Sequence, residues 1–144
     1  MDPAVQRQTI SLQAALLVVE TGLREAAAAG VEASVAVVGE AGDLRAFART
    51  DDAPIATVQL AIDKAYSAAA CRLATDAWAP ALAADPSLAA GLAAGVDRLV
   101  VFGGGVPLSL GGRVIGGVGV SGGSSEQDAQ LAQMVAHELG ELAR

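Results

Sequence analysis

Arg98 to Asp128, RLVVFGGGVPLSLGGRVIGGVGVSGGSSEQD, is the stretch whose reading decides the fold. Leu99 to Phe102 is a first apolar run, which Gly103, Gly104 and Gly105 break. Val106 to Leu110 is a second, and Arg113 to Val120 a third; Gly111-Gly112 between them reads as a two-residue hairpin turn. Ser121-Gly122-Gly123 ends the last strand, and Ser124 or Ser125 opens a helix that runs to about Leu142. Ser125-Glu126-Gln127-Asp128 resembles a capping box with Asp128 in the last place. Three strands and a helix are therefore expected from this half of the chain.

Upstream, Ser11 caps a first helix in which Leu12, Ala15, Leu16, Val19, Leu23, Ala26 and Ala27 form an apolar stripe that stops at Gly30. Leu17 and Val18 lie off that stripe, so a second apolar face is expected. Ala33–Val38 and Leu44–Thr50 are β-forming runs joined by the loop Glu40-Ala41-Gly42-Asp43. Ile55–Leu73 reads as an Ala-rich helix that places Leu60, Lys64, Ser67 and Cys71 on one side. A shorter helix is expected from about Asp76 to Ala84, and residues 85–97 read as a connection with a weak helical signal. The order α-β-β-α-β-β-β-α gives an α+β class: a five-stranded, mostly antiparallel sheet flanked by helices, in a single domain spanning 1–144.

Hydrophobic residues make up 53% of the chain and charged residues 17%, more apolar surface than one small core needs, so a homo-oligomer (dimer or higher) is expected. The net charge of −7 argues against nucleic acid and anionic membranes as partners. Pro80, Asp85 and Pro86 interrupt the alanine-rich 77–96 stretch, so it does not read as a membrane span. One cysteine allows no internal disulfide, and Met1-Asp2-Pro3 has no basic n-region; both fit a cytoplasmic location.

The chemistry is expected around the glycines. Ser121, Gly122, Gly123 and the following helix start offer free N–H groups to an anion, or else form a self-capped strand-to-helix turn. Gly103, Gly104 and Gly105, with Pro107, either line a pocket with bare backbone or form a sharp bend. Lys64, in mid-helix on an Ala-rich surface, must reach water or meet an anion; a ligand carboxylate is the expected anion. Lys64 and Asp128 are the candidate proton-transfer residues. Cys71 reads as structural, His137 as solvated and paired with Glu141, and one His with one Cys makes no metal cage.

Several stretches, taken together, carry a resemblance. They are Val35-Ala36-Val37-Val38, Leu44-Arg45-Ala46-Phe47-Ala48-Arg49, Ala61-Ile62-Asp63-Lys64-Ala65-Tyr66, Val101-Phe102-Gly103-Gly104-Gly105-Val106-Pro107-Leu108, and Ile115 to Gly123 with Gln127-Asp128. In these the chain resembles the HbpS-like and GlcG-like family, often labelled the haem-degrading domain family, and is similar to the C-terminal part of PduO-type corrinoid proteins. The resemblance implies a profilin-like or GAF-like sheet, dimers that assemble further, and haem or corrinoid as candidate ligands. Beside a purely structural assembly subunit, two ligand-handling functions are carried forward. One is a binding module for a tetrapyrrole or another small organic acid, its carboxylates received by Lys64 and the Gly122-Gly123 amides, with Cys71, Tyr66, Met134 or His137 as any iron ligand. The other is a cofactor-independent enzyme doing proton-transfer chemistry on a small carboxylic or carbonyl substrate.

Overall fold

The computed structural model describes residues 1–144. Helix α1 (Leu12–Ala28) leads into the hairpin β1 (Ser34–Gly39) and β2 (Leu44–Arg49), then α2 (Ala56–Cys71). A 3-10 turn, α3 (Trp78–Ala84) and α4 (Pro86–Gly95) follow, then β3 (Gly105–Leu110), β4 (Arg113–Ser121) and α5 (Ser125–Leu142). The sheet has four strands in the order β2-β1-β4-β3, all neighbours antiparallel. The α+β class and the flanking helices are as expected; the five-stranded sheet and its element order are not.

The missing strand is Leu99–Phe102. It joins no neighbouring strand; within it Val100 N donates to Ser67 Oγ (2.8 Å), which donates in turn to the Arg98 carbonyl just before the run (3.0 Å). Ser125 Oγ accepts from Gly103 N (2.8 Å). Hydroxyls thus hold the middle of the run and the residues flanking it, where a strand would have had a ladder. The 85–97 connection is in fact mostly helix α4. Asp85 caps it by accepting from Ser87 N and Leu88 N, with Pro86 at its first turn, a start signal already present in the sequence.

Side-chain alternation splits the core in two. Val35, Val37, Val118 and Val120 pack with Val18, Val19, Leu131 and Val135, which puts α1 and α5 on one face. Ala36 and Val38 pack with Ala61, Ala65 and Ala69, which puts α2 on the other. Here α2 lies almost directly on the strands. A Cβ on Gly117 would strike the Ala65 carbonyl, and one on Gly119 the Ala61 carbonyl. The alanines of α2 and the glycines of β4 are thus one feature, a close backbone approach that sets the height of every side chain leaving α2.

On α1 the buried face is Ala15, Val18, Val19, Gly22 and Ala26, whereas Leu12, Leu16 and Leu17 are exposed. The stripe expected through Leu12 and Leu16 is therefore rotated, because only small residues let α1 sit near β1: a Cβ on Gly22 would already meet Val35. No helix is long and apolar enough to cross a membrane.

Candidate functional site

Lys64 leaves α2 from the layer set by those alanines and is 1% exposed. Its Nζ donates to Asp128 Oδ2 (2.9 Å) and to the Val120 carbonyl (3.0 Å), and it lies 5.2 Å from the centre of the Phe102 ring. Asp128, 2% exposed, accepts from Gly123 N at Oδ1 (2.8 Å) and, at longer range, from Gly122 N at Oδ2 (3.4 Å). The helix cap itself is made one step earlier than expected. Ser124 and Gln127 form the capping box, which frees Asp128 to turn inward.

The structure brings two groups of the expected site together within the chain. Lys64 does meet an anion, and the glycine amides do hold a carboxylate, but both roles are filled by Asp128. A buried ammonium needs such a partner, because its desolvation is offset only by a close, fully hydrogen-bonded anion. Val120 and Asp128 supply two acceptors, and Gly104 closes the remaining side: its φ is +128°, and a Cβ there would stand 2.7 Å from Lys64 Nζ. The pair is a clasp joining α2 on one face of the sheet to the start of α5 on the other.

The glycine run is likewise used internally. Gly103 N is bonded to Ser125, and Gly105 N to Thr75 Oγ1 (2.9 Å). The Gly104 carbonyl accepts from Val120 N (2.8 Å). The Gly103 and Gly105 amides are thereby taken, and a Cβ on Gly105 would strike the Lys64 carbonyl. Ser121 is buried at the end of β4, and Pro107 is half-buried in β3. Proton transfer by Lys64 and Asp128 has no visible approach for a substrate.

The other candidates are scattered. Met134 and His137 are exposed on α5, across the sheet from α2. His137 makes no ion pair, since Glu141 is held by Arg144 (3.2 Å) instead. Cys71 ends α2 half-buried, and burial pushes its thiol pKa up from 9.0. Tyr66 is covered by Arg98, whose guanidinium carbon lies 4.2 Å from the ring centre.

What sequence reasoning missed is the concave surface beside that arginine. Arg98 adopts a left-handed backbone (φ +63°) and pairs with Asp63 (2.9 Å). Together they edge a cleft of about 380 Å³ between α2, α3, α4 and residues 96–101, where eight of the eleven lining residues are apolar, among them Leu82, Leu92, Leu99 and Val100. The only sequence signal for it was the apolar 99–102 run, which reads equally well as a strand.

A family model described as "Haem degrading protein HbpS-like" matches residues 10–137. An uncharacterised 15.0 kDa protein of the dhaT-dhaS intergenic region of Citrobacter freundii is 35% identical over 99% of this chain and 100% of its own length. Corrinoid adenosyltransferase PduO of Salmonella typhimurium is 37% identical over 100 residues, which span 69% of this chain and 30% of that longer protein. Among solved structures, Klebsiella pneumoniae protein ORFY superposes with a TM-score of 0.91 at 32% identity, covering 100% of this chain and 99% of its own. PduOC, crystallised as a haem complex, gives a TM-score of 0.82 at 30% identity over 90% of this chain and 94% of that one.

Proposed function

The chain belongs to the HbpS-like family, and from that premise we propose that it is an oligomeric small-molecule-binding protein whose ligand is haem or a related tetrapyrrole. The observation that carries the reading is the cleft beside Arg98. Its volume of about 380 Å³ falls within the usual range for organic ligands, roughly 300–1,000 Å³. Its apolar walls suit a flat macrocycle; Arg98 at the rim is paired with Asp63 and stands beside Asp97, so a ligand carboxylate would have to displace Asp63 to reach it. Helices α3 and α4 bury no residue of their own, so they can shift to admit a ligand larger than the resting cleft. The haem complex of PduOC supports the choice of ligand class.

The cleft walls suit the macrocycle but bring no His, Cys, Met or Tyr to the iron. None of Cys71, Tyr66, Met134 and His137 lines it. Burial of the ring therefore supplies the affinity, and a metal-free porphyrin should bind nearly as well as haemin. Titration of the protein with haemin and with protoporphyrin, followed by absorbance, tests this. Saturation by both at one per subunit supports the reading; failure of both to saturate rejects it.

Self-association rests on a different surface. Leu16 and Leu17 of α1 and Leu139 and Leu142 of α5 border a groove of about 550 Å³, and Leu12 is exposed close by in sequence. A second copy covering those leucines accounts for the apolar excess of the composition. The single cysteine suits the cytoplasm.

A further inference from the structure

Positive charge in this acidic chain is unevenly satisfied. There are nine Lys and Arg against 16 Asp and Glu. Six of the nine stand in ion pairs, and Arg49 donates to the Ala53 carbonyl. The two side chains with neither an ion pair nor a hydrogen bond are Arg72 and Arg113, and both line one pocket of about 270 Å³. Arg7 lines it too, held 3.3 Å from Glu40. Of its eight lining residues only Val114 is apolar. Three guanidinium groups against one carboxylate leave the pocket two positive charges, in a chain whose net charge is −7.

The walls are anchored to the fold. Ile10 N donates to the Ile115 carbonyl (2.8 Å), and Glu40 N donates to Thr9 Oγ1 (3.0 Å), which ties the N-terminal wall to β4 and to the β1–β2 loop. Arg113 opens β4 directly after the Gly111-Gly112 turn, both of whose residues have positive φ. Arg72 caps α2 in the left-handed conformation (φ 54°, ψ 37°), a position where glycine is the favoured residue. A cation there complements the helix C-terminus. That accounts for Arg72 but not for a second unpaired guanidinium brought to the same hollow by the hairpin.

We propose that Arg72 and Arg113 form a receptor for a small dianionic oxyanion, a phosphate or a short dicarboxylate, with the Arg7–Glu40 pair at its rim. Guanidinium groups present paired N–H donors that match two oxygens of a carboxylate or phosphate. The pocket lies at or below the small end of the usual range of roughly 300–1,000 Å³, too small for a tetrapyrrole. It is also separate from the Arg98 cleft: the two share no lining residue. Asp63, on the cleft, precedes Arg72 by nine residues, about 13 Å along α2.

The test is calorimetric titration of the full chain with inorganic phosphate and, separately, with succinate, at ionic strength held constant with KCl. Amide NMR shifts locate the response. Saturable binding that moves Gly112 and Arg113 supports the proposal; phosphate alone assigns a tetrahedral oxyanion, succinate alone a dicarboxylate. Arg72→Gly and Arg113→Gln should each weaken binding about tenfold or more, and together abolish it. Arg72→Gly suits the left-handed backbone, so its melting temperature should not fall. Haemin titration of the double variant should match the parent, which keeps this site apart from the tetrapyrrole reading. Absence of saturation by either probe, or binding that survives the double variant, overturns the proposal.

Discussion

Lys64 and the pair Arg72–Arg113 occupy one helix and its hairpin neighbour, yet they are opposite kinds of cation. Lys64 is 1% exposed, and its nitrogen is matched by Asp128 and the Val120 carbonyl. Arg72 and Arg113 are exposed and matched by nothing. A charge that the fold satisfies from within is architecture, and its removal is felt as lost stability. A charge that the fold leaves open is available to something else, and its removal is felt as lost binding.

The contrast predicts a graded series. The largest effect is expected at the clasp. Asp128→Ala strands a buried ammonium and frees the Gly122 and Gly123 amides, and should cost about 3–5 kcal/mol in urea denaturation. Gly119→Ala comes next. It drives a methyl into the Ala61 carbonyl and should cost about 1–3 kcal/mol by overpacking.

At the cleft, Leu92→Glu should weaken haemin binding about tenfold while leaving the urea midpoint almost unmoved, because α4 buries no residue. A large loss of stability there would erase the distinction between sealed and open regions. Gly91→Ala, in mid α4 with open space around its Cβ position, should stabilise by roughly 0.5–1 kcal/mol, read as a raised midpoint.

The smallest effect belongs to Cys71. Burial raises its folded pKa above 9.0. Its contribution to stability is therefore complete below pH 9 and is lost as pH rises through the folded value. Urea midpoints between pH 8 and 10.5 should fall slightly more for the parent than for Cys71→Ala.

Much of the frame was legible in the chain. The Ser11 cap, the Gly111-Gly112 turn and the small residues of α2 and β4 state their local structure directly. What was not legible is who meets whom. Lys64 and Asp128 are 64 positions apart, and only the crossing of β4 between α2 and α5 brings them together. Without that contact, glycine amides and a lone lysine look like a ligand site. The 99–102 run failed for a related reason: periodicity records which side chains are apolar, not whether the backbone finds a partner strand or, as at Val100, the hydroxyl of Ser67. The α4 helix was legible and overlooked, in Asp85-Pro86. The Arg72–Arg113 pocket gave no sequence signal, since its walls come from four separate segments.

The central claim is that Lys64 belongs to the fold and not to the ligand. A double-mutant cycle with Lys64→Met, Asp128→Leu and the combined variant, read by urea denaturation, tests it most directly. The expected result is that each single change costs about 3–5 kcal/mol while the double costs far less than their sum. Single variants as stable as the parent, with additive effects and lost haemin binding, would contradict it.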